Sequence, residues 1–263
     1  MISIEEKMAL AKQIEEIAKK AGRFISDHKI SQVTIKGNVS NIVTDMDIRC
    51  QQLIIGECLK CIPESVVLAE EENRQQIGEG FTWIIDPIDG TTNYLYDYHH
   101  SCISVALYHQ RKGVIGVVYN PYLDECFVGV EGVGSTCNGK EIHVSNNSFR
   151  ESLIMVGTAP YNKELVDKTF EIMKKIFLQT RDIRRSGSAA LDLCYLACGR
   201  IDGFFEPVLQ PWDYGAAGII VRNAGGTLEP TSEHALDELK RTGIIASNGV
   251  CHAALQEVVL EEE

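Results

Sequence analysis

The spacing of apolar positions predicts that the chain is built from both amphipathic helices and buried strands. A helical period follows Ser3, which can form a capping box with Glu6, so a long first helix is expected. A second helix is expected from near Thr44 to about Cys61, followed by a buried strand over residues 65–69.

The pattern changes near residue 150. Residues 102–144 are rich in β-branched and aromatic residues and predict antiparallel strands, with a hairpin at Asn138-Gly139. From Ser152 onward strands and helices alternate. We therefore expect an N-terminal α+β half, residues 1–150, with an antiparallel sheet, and a C-terminal α/β half, residues 151–263. The helices predicted in the second half are 163–178, 188–198, 213–224 and 250–262, and the strands are 153–157, 203–206, 226–228 and 243–246.

Length, composition, net charge and cysteine content argue against some classes of function. The 263 residues can bury a substantial core, and 44% hydrophobic with 24% charged residues is ordinary for a globular protein. The net charge of −12 argues against a nucleic-acid groove. No apolar run approaches the roughly 20 residues that cross a bilayer, so no membrane partner is expected. Nine cysteines without a signal peptide predict reduced, mostly buried thiols in a cytoplasmic protein.

Candidate chemistry is concentrated in residues 83–93. An apolar run ends in Asp86, and Asp89 follows three residues later, across Pro87. Two carboxylates at the end of a buried strand repel each other, and a hard cation such as Mg²⁺ relieves that repulsion. Gly90 and Thr91 then stand where a helix could begin and offer N–H groups to an anion. The alternative is an Asx turn followed by a capped helix.

These residues also carry a family resemblance. The segment Asp86-Pro-Ile-Asp-Gly-Thr-Thr-Asn93 resembles the signature of the inositol monophosphatase family, which comprises lithium-sensitive, Mg²⁺-dependent phosphatases. Residues 212–218, which are followed by residues 223–226, resemble a second motif of that family. The resemblance covers nearly the whole chain. It implies a layered α–β–α–β–α sandwich that forms one compact catalytic unit, whereas periodicity alone gives only mixed α and β; we also expect a homodimer.

The resemblance implies a ligand set for two or three Mg²⁺ ions. Glu70, Asp86 and the backbone carbonyl of Ile88 would hold the first ion. Asp86 would also join Asp89 and Asp213 around the second ion. A third, weaker ion would bind Glu70 through water.

Two of these assignments have alternatives in the sequence itself. Glu70 is the first of three consecutive glutamates, so Glu71 could share its role, and the triplet could be a solvated loop. Asp213 follows Pro211-Trp212 and could be an ordinary helix N-cap.

Catalytic and substrate-binding residues follow from the resemblance as well. Asp47 and the Thr91 hydroxyl would orient and activate the attacking water, with Glu70 contributing as a metal ligand. Asp47 could instead only interact with the dipole of its helix. Substrate contacts are implied for the following residues: Asp89, Gly90, Thr91, Ser188, Ala189, Glu206 and Asp213. Of these, Glu206 would accept hydrogen bonds from a polyol, while nearby Arg184 and Arg185 could serve in ion pairs or a subunit interface.

The predicted reaction is Mg²⁺-dependent hydrolysis of myo-inositol monophosphate to inositol and phosphate, by direct attack of a metal-activated water. Related phosphatases of fructose 1,6-bisphosphate, histidinol phosphate, 3′-phosphoadenosine 5′-phosphate or a dinucleotide phosphate share the metal core. The metal residues therefore do not discriminate among these substrates. A protein-binding scaffold of the same fold is the alternative from another class, although a scaffold need not keep every carboxylate.

Overall fold

The computed structural model describes residues 2–36, 39–71, 77–232 and 234–261. The α-helices in this part of the chain are α1 (Ile4–Asp27), α2 (Asp45–Cys61), α3 (Thr91–Leu95), α4 (Val166–Gln179), α5 (Ala189–Ala197), α6 (Pro211–Asn223) and α7 (His252–Leu260). The strands are β1 (Val33–Ile35), β2 (Ile42–Thr44), β3 (Val66–Ala69), β4 (Phe81–Asp89), β5 (Cys102–His109), β6 (Lys112–Asn120), β7 (Glu125–Val130), β8 (Gly134–Cys137), β9 (Lys140–Glu141), β10 (Leu153–Val156), β11 (Asp182–Arg184), β12 (Gly203–Leu209), β13 (Thr227–Pro230) and β14 (Thr242–Ser247). Among these described residues, no helix combines the length and apolarity needed to span a membrane.

The N-terminal half is a seven-stranded sheet with two helices on one face. Its strand order is β3-β4-β5-β6-β7-β8-β9, antiparallel except for the parallel pair β3 and β4. Helix α1 begins with the predicted capping box between Ser3 and Glu6, and α2 is capped by Thr44. The apolar stripes of both helices pack against the sheet in one hydrophobic cluster, which places the start of α2 near the end of β4.

The C-terminal half is a five-stranded mixed sheet with the order β11-β10-β12-β14-β13. Helices α5 and α6 lie between the two sheets, and their side chains form the central cluster with both. Helices α4 and α7 cover the outer face of the second sheet. The layers are therefore α–β–α–β–α, which confirms the expected sandwich.

Close approach of α6 to the first sheet depends on glycine. A Cβ at Gly116 on β6 would lie 2.1 Å from the carbonyl oxygen of Ala216, and one at Gly129 on β7 would lie 2.7 Å from the Cα of Ile220. The helix backbone therefore rests directly on the strands. This contact fixes the start of α6 beside the carboxyl end of β4.

Most predicted elements are present, but three short strands were not predicted. Strands β1, β2 and β11 each have three residues, and the three residues of β1 are exposed. Such short strands show no clear alternation of apolar and polar positions.

The cysteines agree with the expected distribution. All nine are free thiols, and six of them are buried. Burial raises the pKa of the Cys50 thiol and that of Cys194 well above the ordinary value, so these side chains act as small apolar core residues.

Candidate active site

One cleft of about 730 Å³ is lined by most of the acidic side chains singled out in the sequence. It lies where the ends of β3 and β4 meet the starts of α5 and α6. The acidic residues that line it are Glu70, Asp86, Asp89, Asp192, Glu206 and Asp213. Residues of both halves therefore face one space.

The first motif reaches the cleft through a bulge in β4. The sequence analysis placed the end of the strand at Asp86, which is wrong, because β4 continues to Asp89. Asp86 pairs with Ser104 and Asp89 with Cys102, so β4 has one residue more than its partner in this interval. Residues three apart on a regular strand point to opposite faces, and the extra residue brings both carboxylates to the same side. The Ile88 N–H donates to Asp86 Oδ1 at 3.0 Å and holds this turn.

Asp89 is fixed by the start of α5. Its Oδ2 accepts hydrogen bonds from the Ser188 hydroxyl and from the Ala190 N–H, the latter at 2.9 Å. Burial raises the pKa of Asp89 to about 6, while these hydrogen bonds favour the charged form. Ser188 and its neighbour Ala189 thus line the cleft, and Ser188 also positions an acidic side chain.

Asp213 lines the cleft and also takes part in capping α6, but the expectation that it is the N-cap is wrong, because Gln210 is the N-cap residue. It is the third residue of α6, and its Oδ2 accepts the Gln210 N–H at 2.7 Å in a capping box. Burial, followed by repulsion from Asp89 and Glu70, raises its pKa well above the ordinary value. Asp213 therefore caps its helix and adds negative charge to the cleft.

The structure separates the roles of the adjacent glutamates. Glu70 lines the cleft, whereas the side chain of Glu71 is buried and forms an ion pair with Lys36. The backbone of Glu71 is also held by Gln51, which accepts from its N–H at 2.8 Å and donates to its carbonyl at 3.2 Å. Burial, then repulsion from Glu71 and Asp47, raises the pKa of Glu70 to about 8. The third glutamate, Glu72, lies outside the described residues.

Asp47 and Thr91 meet at the edge of the cleft, 44 positions apart in sequence. The Thr91 hydroxyl lies 3.1 Å from Asp47 Oδ1 and 3.2 Å from the carbonyl oxygen of Ile88. The other oxygen of Asp47 accepts the N–H of Thr44, so the carboxylate also caps α2. Burial raises the pKa of Asp47 to about 6. Gly90 precedes Thr91 with a φ of +88°, a backbone conformation that favours glycine.

Glu206 enters the cleft from β12 and is almost completely buried. Its Oε1 accepts the Ala159 N–H at 3.1 Å, and burial raises its pKa to about 7. A Cβ at Gly157 would lie 2.0 Å from the Glu206 carboxyl carbon, so only glycine leaves room for this side chain. The glutamate is therefore held in place by the loop that follows β10.

The chemistry of the donor set fits a hard cation such as Mg²⁺. No hydrogen bond within the described residues reaches Asp86 Oδ2, Asp213 Oδ1 or the Glu70 carboxylate. Repulsion among these groups, added to burial, raises the pKa of Asp86 well above its usual range. Yet in the described part of the chain no three His, Cys, Asp or Glu side chains are already close enough to hold one ion. A cation would have to draw these oxygens together, and oxygen-only donors suit Mg²⁺.

The cleft also contains residues that the sequence analysis did not single out. Four charged or aromatic examples are Lys36, Tyr161, Asp192 and Arg241. Each lies in a loop or helix without a recognisable motif, so no sequence signal marks it. Arg184, by contrast, pairs with Asp182, as one of its alternatives proposed, whereas Arg185 lines the cleft and forms no ion pair within the described ranges.

Comparison with known proteins identifies the family of this chain. The model of the inositol monophosphatase family matches residues 4–262. The chain belongs to the inositol monophosphatase family. Members of this family are phosphoric monoester hydrolases, so the chain belongs to an enzyme family.

Individual members of the family are similar to this chain over most of their length. Inositol-1-monophosphatase from Synechocystis sp. is 37% identical over 233 residues, which cover 88% of this chain and 81% of the relative. The extragenic suppressor protein suhB from Bartonella henselae is 33% identical, with a TM-score of 0.89, and covers 97% of this chain and 100% of that structure. Inositol monophosphatase from Anabaena is 30% identical, with a TM-score of 0.85 and 96% coverage of both chains.

Proposed function

We propose that the protein is a Mg²⁺-dependent phosphomonoesterase that hydrolyses myo-inositol monophosphate to inositol and phosphate. The observation that carries this proposal is the convergence of Glu70, Asp86, Asp89 and Asp213 on one cleft beside the Asp47–Thr91 hydrogen bond. Family membership supports the reaction class. The inositol monophosphatases among its relatives support the substrate.

The proposed ligand set follows the resemblance and the open carboxylate oxygens. Glu70, Asp86 and the Ile88 carbonyl would hold one ion, and Asp86, Asp89 and Asp213 would hold a second. Glu70 is preferred to Glu71, since Glu71 is already paired with Lys36. A third, weaker ion at Glu70 belongs to the same proposal. Bound Mg²⁺ supplies charge for the phosphate oxygens and makes water a stronger nucleophile.

The chain's own groups orient the reaction. The Thr91 oxygen accepts a hydrogen bond from the attacking water, while the Thr91 hydroxyl donates to Asp47. With a pKa of about 6, Asp47 is mostly ionised at neutral pH and can accept that hydrogen bond. The backbone N–H groups of Gly90 and Thr91 receive the phosphate, with Ser188 and Ala189 beside it. Glu206 accepts hydroxyl protons of the cyclitol.

We further propose that residues 1–150 and 151–263 act as one catalytic unit, because the carboxylates come from both. A homodimer is proposed on the resemblance alone, and a cytoplasmic location is proposed on the nine free thiols.

The test is phosphate release from a panel of monoesters, including myo-inositol 1-phosphate, fructose 1,6-bisphosphate, histidinol phosphate and nucleotide phosphates. With Mg²⁺ we expect the highest kcat/KM for inositol phosphate, and with a chelator we expect no turnover. Equal hydrolysis with and without chelator would overturn the metal dependence. A clear preference for another ester would replace the substrate and leave the reaction class intact.

A further inference from the structure

The loop after β10 forms part of the cleft wall and is fixed at both ends. Ala159, with a φ of +39°, donates its N–H to Glu206 Oε1 at 3.1 Å, and its carbonyl accepts the Asn162 N–H at 2.8 Å. The Asn162 side chain accepts a hydrogen bond from Arg241 at 2.7 Å. These contacts hold Tyr161, the residue between them, in a defined position along the cleft.

Tyr161 lines the same cleft as the acidic residues Glu70, Asp86, Asp89 and Asp213. The side chain is 51% exposed, yet burial is the largest cause that raises the pKa of its hydroxyl well above the ordinary value. The next causes are the charges of Glu70, Asp213, Asp86 and Asp89.

That hydroxyl has no hydrogen-bond partner within the described residues, although Tyr161 shares its cleft with four carboxylates. It remains protonated because its pKa is raised, so it can donate a hydrogen bond. The four carboxylates surround the position proposed for the cations and the phosphate. An anionic oxygen bound there would be the natural acceptor, and a hydrogen bond to a charged acceptor is stronger than a neutral one.

We propose that Tyr161 is a substrate-binding residue whose hydroxyl donates a hydrogen bond to a phosphate oxygen of the bound ester. This inference rests on the proposed phosphatase function and adds a phosphate contact from the C-terminal half. The contact serves every phosphate monoester, because it does not involve the alcohol. Tyr161 therefore sets affinity for the phosphate, while selection among polyols stays with Glu206.

The test is Tyr161→Phe, which removes the hydroxyl and keeps the ring. Tyr98→Phe is the matched control, since Tyr98 is 67% exposed and is not among the residues that line the cleft. At saturating Mg²⁺, the inhibition constant of inorganic phosphate and kcat/KM for both myo-inositol 1-phosphate and 4-nitrophenyl phosphate are measured. Tyr161→Phe should weaken all three by about tenfold, the scale of one hydrogen bond to a charged group. The control should stay within about twofold.

Other results overturn the inference. Unchanged phosphate inhibition would mean that the hydroxyl does not contact phosphate. A loss confined to inositol phosphate would place the contact on the cyclitol. A loss that appears only below saturating Mg²⁺ would place the contact on the cations. Wild-type protein that hydrolyses no ester would refute the proposed function instead, and phosphate binding followed by tryptophan fluorescence would then decide the Tyr161 contact separately.

Discussion

Replacing Glu206 by Gln tests whether a carboxylate recognises the polyol. Glutamine has the same length and keeps an oxygen for the Ala159 N–H, which Glu206 Oε1 accepts at 3.1 Å. It replaces the second oxygen with an NH₂ group, so a substrate hydroxyl loses its charged acceptor and can only accept from the amide. The site is 9% exposed, so water cannot compensate. A hydrogen bond to a charged group is worth about 1.5–3 kcal/mol, which corresponds to a loss of about 10- to 150-fold in kcat/KM.

The assay compares two substrates at pH 8, where a group with a pKa of about 7 is mostly ionised. We expect the full loss with myo-inositol 1-phosphate and less than about threefold with 4-nitrophenyl phosphate, which has no cyclitol hydroxyls. Glu257→Gln, an exposed change on the outer helix α7, is the control and should change neither rate. Equal losses on both substrates would refute the reasoning, because they would place Glu206 in the metal site or in the structural core.

Other predictions concern the metal site, the chemical step and the fold. Asp86→Asn weakens both proposed ions, so it should raise the Mg²⁺ concentration needed for half-maximal activity more than any other single ligand change; near-normal turnover at ordinary Mg²⁺ would contradict the bridging role. Thr91→Ala and Asp47→Asn should each lower kcat by about 10²–10⁴-fold with little change in KM, and a rise in KM at unchanged kcat would indicate a binding role instead. Gly116→Ala places a Cβ 2.1 Å from the Ala216 carbonyl oxygen and should lower the free energy of unfolding in urea by about 1–3 kcal/mol; an unchanged midpoint would show that α6 can shift at no cost.

The pattern of apolar and polar residues predicts an element where it persists beyond one helical turn or beyond a few alternating residues. Much of the fold consists of such elements. The period after Ser3 and the alternation in residues 102–144 each persist long enough to identify an element. Strands of three residues, such as β1 and β11, are too short for this, and they depend on their partners in the sheet. The start of α6 was placed two residues late because Pro211, which suits a first helical position, was not used as a start signal.

The site was predictable where motifs mark it and unpredictable where the fold alone brings residues together. Asp86 and Asp89 stand in one motif, but the bulge that turns both to one side depends on pairing with β5. Tyr161 and Arg241 belong to no motif and are 80 positions apart, yet the Asn162 side chain brings their loops together. Gly157 could not have been linked to Glu206, because the contact joins the residue after β10 to the neighbouring strand β12.

The burial of several carboxylates in one cleft opposes folding. Because residues of both halves line the cleft, contacts between the halves must compensate for this cost. Burial and mutual repulsion raise the pKa values of Asp86 and Asp213, which means that the ionised forms are destabilised where they lie. One carboxylate comes from the first sheet and the other from α6, so repulsion acts across the contact between the halves. The glycines of β6 and β7 allow α6 to pack directly on that sheet and resist this separation. Cations that bind both carboxylates would act on the same contact, so metal binding should stabilise the association of the two halves as well as the site.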